Sequence, residues 1–258
     1  MVGTAHPTYY RKEMVGTAHP TYYSLFSGKK ENTCMIRVGI VGFGFMGQMH
    51  YKCWKAIKGA KIVAVCDSNP NLEQDIKKAV GNIGETDRAV DFSSFALYTN
   101  LDKMLASEKL DAVSIALPTN LHPACSIKAL AAGVNVLCEK PMALNVKDCD
   151  RMIAEAKRSR KILQIGHCVR FWPEYAKTKQ LIDSGKYGKV IAATFQRLSA
   201  TPTWGKDNWI LNEKRSGGAA LDLHIHDTDY VQYLFGIPRA VCSSGAKGPG
   251  GNLAHIVT

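Results

Sequence analysis

The side chains whose types and spacing suit catalysis fall at two places. Asp222 and His226 stand four apart in the run Asp222-Leu223-His224-Ile225-His226-Asp227. One continuous helical turn would put both on the same face. Imidazole titrates near neutral pH, and a carboxylate within hydrogen-bond reach orients its ring, the pairing expected of a general acid/base. Gly217-Gly218 just upstream lets backbone come close to a ligand. Two other readings compete: His224 and His226 as structural histidines, or His-x-His-Asp as part of a metal site. No third clustered ligand accompanies the run, so no metal is expected. The second place is Glu139-Lys140-Pro141. An ammonium there could bind a substrate hydroxyl, stabilise a developing alkoxide and, if desolvated, shuttle the proton. The plain alternative is a lysine in a surface loop.

Such groups work only if elements far apart in the chain bring them to one place. The clearest scaffold signal is Arg37-Val38-Gly39-Ile40-Val41-Gly42-Phe43-Gly44-Phe45-Met46-Gly47, a buried strand running into a G-x-G-x-x-G turn. Gly42 would permit the tight turn, Gly44 the approach of backbone to a diphosphate, and Gly47 close packing of helix on strand. The segment from Gln48 to Ile57 reads as a helix whose first amides face the phosphates. A second β-rich run, Lys61 to Cys66, ends in Asp67, where a carboxylate would accept hydrogen bonds from the adenosine ribose. The order strand, turn, helix, strand, acid predicts dinucleotide binding over a mere tight turn.

The alternation continues. A turn at Asn69-Pro70-Asn71 precedes a short helix over Leu72 to Val80, and a brief strand is expected near Ala89 to Phe92. Helical turn is expected over Leu101 to Ala106, strand over Asp111 to Leu117, and helix over Leu121 to Ala132, stopped by Gly133. Strand over Val134 to Cys138, amphipathic helix over Val146 to Arg158 and a sixth strand over Ile162 to Ile165 complete the series. The fold class is α/β, a doubly wound parallel sheet with right-handed crossovers. Ligands on such sheets sit beyond the carboxyl ends of the strands. That rule gathers Gly42–Gly47, Asp67, Pro118, Thr119, Asn120 and Glu139 to Pro141 around one crevice. After Gly166 the character changes: a helix over Pro173 to Ser184, a long strand over Lys189 to Leu198, a helix from about Leu223 to Phe235, and strands over Ala240 to Gly245 and from His255. This reads as the start of a second, α+β domain. The expected division is 1–34 as a disordered leader, 35–167 as the dinucleotide-binding domain and 168–258 as an incomplete second domain. Within the leader, Met1 to Tyr10 recurs unchanged at Met14 to Tyr23.

Composition narrows the partners. The chain has 258 residues, 46% apolar and 21% charged, with a net charge of +11 and pI of about 9.2. These values are ordinary for a globular protein apart from the basic balance. The positive charge is dispersed, and its densest cluster, Lys157 to Lys161, sits where a helix end favours cations. Neither a nucleic-acid nor a membrane partner is expected. The basic balance mildly favours an anionic substrate. No apolar run is long enough to span a bilayer. The eight cysteines form no C-x-x-C pair, which suits reduced thiols in a cytoplasmic protein.

Taken together, the glycine turn, Leu117-Pro118-Thr119-Asn120-Leu121-His122, Glu139-Lys140-Pro141, Gly166-His167-Cys168-Val169-Arg170-Phe171 and Gly217-Gly218 leading to Asp222-x-x-x-His226 resemble the glucose–fructose oxidoreductase / inositol dehydrogenase (Gfo/Idh/MocA) family. The resemblance spans about Met35 to Gly245. It implies an N-terminal Rossmann domain and a C-terminal domain on a large open sheet that carries homo-oligomer contacts. Members typically continue well past the point where this chain stops, so the open sheet is expected to be incomplete and the chain not to be stable and active by itself. The resemblance makes Lys140, Asp222 and His226 the catalytic group and often brings a cis bond before Pro141. It implies cofactor contacts from Gly42, Phe43, Gly44, Phe45, Met46, Gly47, Asp67, Pro118, Thr119, Asn120, His122, Glu139 and Arg170. Asp67 followed by Ser68, with no arginine beside it, favours NAD over NADP, because a 2′-phosphate would face a carboxylate. The expected reaction is hydride transfer between NAD and a secondary alcohol of a sugar, inositol or related polyol. His226 is the expected base, Asp222 orients it and Lys140 binds the same oxygen. Trp172, Trp204 and Trp209 line the substrate pocket or fill a core. The rivals are an NAD-binding sensor of the corepressor kind and a redox-assisted glycosidase.

Overall fold

A computed structural model describes residues 35–76, 90–200, 202, 206–248 and 253–258. Six strands form one parallel sheet: β1 (Ile36–Val41), β2 (Ala60–Cys66), β3 (Ala96–Tyr98), β4 (Ala112–Ile115), β5 (Asn135–Cys138) and β6 (Leu163–Ile165). Their order across the sheet is β3-β2-β1-β4-β5-β6. This is the doubly wound order, reversing direction between β1 and β4. In register, Val41 lies opposite Cys66 of β2 and Ile115 of β4, so the carboxyl ends of the three strands align.

The strands are apolar along their length because helices cover both faces of the sheet. One face buries Met104, Val113, Ile115, Leu130, Val136 and Met152. These meet α3 (Leu101–Ser107), α4 (His122–Ala131) and α5 (Val146–Ser159). The other buries Ile40, Val65 and an aromatic knot in which the Phe43 ring stands edge-on to Tyr51 at 5.8 Å and tilted to Phe95 at 6.2 Å. Tyr51 belongs to α1 (Phe45–Ala56). Asn100 and Asn145 cap α3 and α5 by accepting from Lys103 N and Asp148 N. Gly133, at φ +80°, follows α4 as expected.

Beyond β6 come α6 (Pro173–Asp183), the one-turn helices α7 (Glu213–Ser216) and α8 (Gly218–Asp222), and α9 (Ile225–Phe235). A hairpin of β7 (Ser244–Lys247) and β8 (Leu253–Val257) follows. The family-implied second α+β region is therefore present, with a small antiparallel sheet.

Several local expectations need correction. Of the strand expected near Ala89 to Phe92, Ala89 lies outside the described residues and 90–92 are not strand: Asp91 Oδ1 accepts from Ser93 N, closing a 3-10 turn over Phe92–Ser94, and β3 starts only at Ala96. The long strand over Lys189 to Leu198 does not form, because no described segment offers it a ladder; Ile191 and Leu198 stand exposed. The helix expected from about Leu223 to Phe235 is α9, starting at Ile225, and Leu223-His224 separate it from α8, so Asp222 and His226 do not share one continuous helix. The strand over Ala240 to Gly245 begins four residues late, at Ser244. Of the helix expected over Leu72 to Val80, α2 covers Leu72–Asp75, and 77–80 lie outside the described residues, as do the leader and Trp204.

Candidate active site

The three glycines of the first turn differ in what requires them. Gly42 has φ +85°, and a Cβ there would lie 2.5 Å from Ala116 O. A Cβ on Gly47 would lie 2.1 Å from Gly42 O. Both are demanded by the fold. Gly44 is not: its φ of −67° suits any residue, and a Cβ would meet nothing within 4 Å. An exposed glycine that the protein itself does not need fits a turn kept open for a ligand's diphosphate. The first turn of α1 also lacks a side-chain cap and carries no acid, unlike α3 and α5. Its free amides and dipole suit an anion. Asp67 closes the turn from β2, accepting from Phe43 N at 2.7 Å and Asn69 N at 2.9 Å. The residues present thus fit a dinucleotide. Phe43 offers only backbone, since its ring is core, while Phe45 and Met46 border open space.

The turn after β4 lies beside it. Pro118 and Asn120 are accessible, but Thr119 is fully buried. His122 is buried too, with Nδ1 2.8 Å from Pro141 O and Nε2 2.8 Å from Leu117 O. Burial pulls its pKa down, although both carbonyls and Glu139 oppose the shift. His122 therefore braces two loops, with both ring nitrogens facing backbone carbonyls.

At the end of β5, the Lys140–Pro141 bond is cis, as the resemblance implies. Glu139 is turned inward. Its Oε1 takes a hydrogen bond from His50 Nε2 at 2.8 Å and its Oε2 one from Lys140 N at 3.1 Å. Burial alone would raise its pKa, but His50 and Lys140 hold it below the ordinary value. The carboxylate joins α1 to the Lys140 loop. Lys140 Nζ donates to Asp222 O at 2.8 Å and Asp222 Oδ1 at 3.1 Å. An ammonium has three donors, so one remains for a ligand oxygen.

The break between α8 and α9 redirects Asp222. Its carboxylate holds Lys140 rather than His226, so the expected Asp222–His226 hydrogen bond is absent. His226 Nδ1 is buried without a partner. Burial first, then the cations Lys140 and Arg197 and the His167 ring, push the His226 pKa down to about 4. Asp222 opposes this and loses. At neutral pH the imidazole is uncharged. Arg170 is also committed, bidentate to Asp229 and stacked 4.8 Å over the Tyr233 ring. Arg197 makes the equivalent fork to Asp227 at 2.8 and 2.9 Å. Trp172 packs edge-on against Tyr175 at 6.0 Å.

Lys140, Asp222 and His226 are thus brought together, with the glycine turn, Asp67 and Pro118 to Asn120 at the same sheet edge. Three participants were not foreseen. His50 lies one helical turn past Gly47, a spacing that could have found it. His167 stands two residues past the end of β6, where the strand-end rule points. Arg197 pairs across thirty positions and leaves no local signal. Among the described residues no cluster suits a metal ion.

Comparison with known proteins agrees with this geometry. The profile described as "Oxidoreductase family, NAD-binding Rossmann fold" matches residues 36–167, and the GFO/IDH/MocA C-terminal domain matches 175–255. A 2,7-anhydro-N-acetylneuraminate hydratase of Mediterraneibacter gnavus is 36% identical over 84% of this chain and 52% of its own. A myo-inositol 2-dehydrogenase of Thermotoga maritima is 30% identical over 78% of this chain and 55% of its own. The crystal structure of a putative myo-inositol dehydrogenase from Sinorhizobium meliloti superposes with a TM-score of 0.66 at 26% identity, covering 83% of this chain and 60% of that one. The chain spans about half the length of the curated relatives it matches.

Proposed function

The chain belongs to the Gfo/Idh/MocA oxidoreductase family, with that family's NAD-binding Rossmann fold, and on that premise we propose an NAD-dependent dehydrogenase acting on a secondary alcohol of a sugar, inositol or related polyol. The observation that carries the reading is the contact of Lys140 Nζ with Asp222, which joins the sheet edge to the helices after Gly217. The Gly42–Gly47 turn, Asp67 and Pro118 to Asn120 would hold NAD, whose bound nicotinamide supplies the hydride acceptor. Asp67 supports NAD over NADP. Lys140, fixed by Asp222, directs its remaining N–H at the substrate oxygen and lowers the cost of the developing alkoxide. His226, uncharged at neutral pH, takes the hydroxyl proton as hydride leaves the carbinol carbon. The lysine and imidazole act on one oxygen, the first as hydrogen-bond donor and the second as proton acceptor.

Incubating the full-length protein with NAD and a panel of polyols and sugars tests this. Growth of NADH absorbance with at least one, abolished in Lys140→Met, is the expected result; no reduction with any would overturn it. A second reading keeps the cofactor but recycles it within each turnover. The 36% identical relative is named a hydratase, and hydration changes no net oxidation state. Conversion of an anhydro-sugar or glycoside without net NADH would select it. A cytoplasmic location is proposed on the seven free cysteines among the described residues. Homo-oligomer contacts are proposed on the exposed apolar side chains Ile191, Leu198, Ile237 and Val241.

A further inference from the structure

The loop that carries Lys140 is held from both sides by histidines, His122 buried and His50 half-buried. His50 reaches it from α1, binding Glu139, and His122 reaches it from the start of α4, beside Pro141 O. Each of these helices begins at a turn that would meet the dinucleotide: α1 at Gly44 and α4 just after Asn120. Glu139 is the relay. One oxygen takes the His50 hydrogen bond and the other takes the Lys140 amide, so α1 and the Lys140 backbone are linked through a single carboxylate. Gly166 leaves room for it, since a Cβ there would sit 3.3 Å from Glu139 Oε1. A buried carboxylate with an imidazole partner is a poor device for stability alone, because an apolar pair of the same shape often does as well or better. Here its effect is directional: it sets where the Lys140 backbone lies.

Resting on the dehydrogenase reading for its kinetic consequence, we propose that His50 is a positioning residue which, through Glu139, couples seating of the dinucleotide on α1 to the placement of Lys140. His50 touches neither substrate nor reacting atoms. A displacement of α1 passes through two hydrogen bonds to the Lys140 amide, while His122 holds the far side of the loop fixed.

Amide hydrogen exchange at Lys140 tests the link without turnover, using the full-length protein with and without NADH. In the wild type, NADH is expected to slow exchange at this amide. In His50→Ala, exchange without NADH should be about tenfold faster, and the NADH effect should vanish. In the same variant kcat should fall about 10–100-fold, with NADH affinity within about threefold, as for a small misplacement of a reacting group. His50→Gln, whose side-chain amide can donate to Glu139, should recover both readouts. Adding Glu139→Gln to His50→Ala should cost nothing further. Wild-type exchange at Lys140 in His50→Ala would overturn the proposal. So would a His50→Gln protein as impaired as His50→Ala, which would mark the histidine as packing only. If His50→Ala does not fold, Glu139→Gln alone must show the faster exchange or the link is wrong. If the wild type reduces no NAD with any polyol, the dehydrogenase reading fails, and exchange alone judges the coupling.

Discussion

Lys140 has two of its three donors on Asp222, and this arrangement separates binding from chemistry at single residues. Replacing Lys140 by Met should lower kcat by about 10²-fold or more. NADH affinity, followed by fluorescence titration, should stay near wild type, because no glycine-turn contact depends on the amine. His226 makes a second, acid-side prediction. Its pKa is about 4 folded and near 6.5 unfolded, so between those values the unfolded chain holds more protons. Stability from this group is whole above pH 6.5 and lost as pH falls toward 4, by up to about 3 kcal/mol. Urea midpoints compared at pH 7 and pH 5 should show a shallower acid loss in His226→Asn. His167 and His122 are depressed in the same direction, so part of the slope should persist.

The β1-turn-α1 unit separates what the fold needs from what a ligand needs. Gly44→Val should fold with a wild-type melting temperature, because a Cβ there meets no protein atom. It should lose the thermal shift that saturating NADH gives the parent, about 2.7 kcal/mol at one hundred times Kd. Gly47→Ala should instead destabilise the apo protein, since its Cβ would fall on Gly42 O. Differential scanning with and without NADH distinguishes the two. The glycine turn was legible because each of its requirements is local, set by backbone geometry within a few residues. The break between α8 and α9 was not: Asp222 and His226 keep helical spacing in the sequence, yet Lys140, eighty-two residues away, captures the Asp222 carboxylate.

Across the molecule, two arginine–aspartate forks fasten α9 to segments outside it, Arg170 with Asp229 and Arg197 with Asp227. Arg197 and Asp227 are both largely withdrawn from water, 21% and 12% exposed. Removing one partner leaves the other charge stranded. Arg197→Leu should therefore cost about 3 kcal/mol, read as a drop in Tm of about 6–12 °C. The double variant Arg197→Leu/Asp227→Leu should recover much of it. The exposed apolar residues Ile191 and Leu198 belong to the same region, where the expected long strand finds no ladder among the described residues.

The sequence by itself determined the parallel sheet, its strand order class, the glycine turn and the identity of Lys140, Asp222 and His226 as neighbours. Apolar periodicity, turn glycines and the strand-end rule all act over short stretches or follow from topology. Only the tertiary structure decided how those three groups pair, that Glu139 faces His50, and that His122 braces two loops. Those outcomes depend on which buried donor lies within about 3 Å of which acceptor. A difference of a few ångströms between helices settles that, and residue spacing along the chain does not encode it.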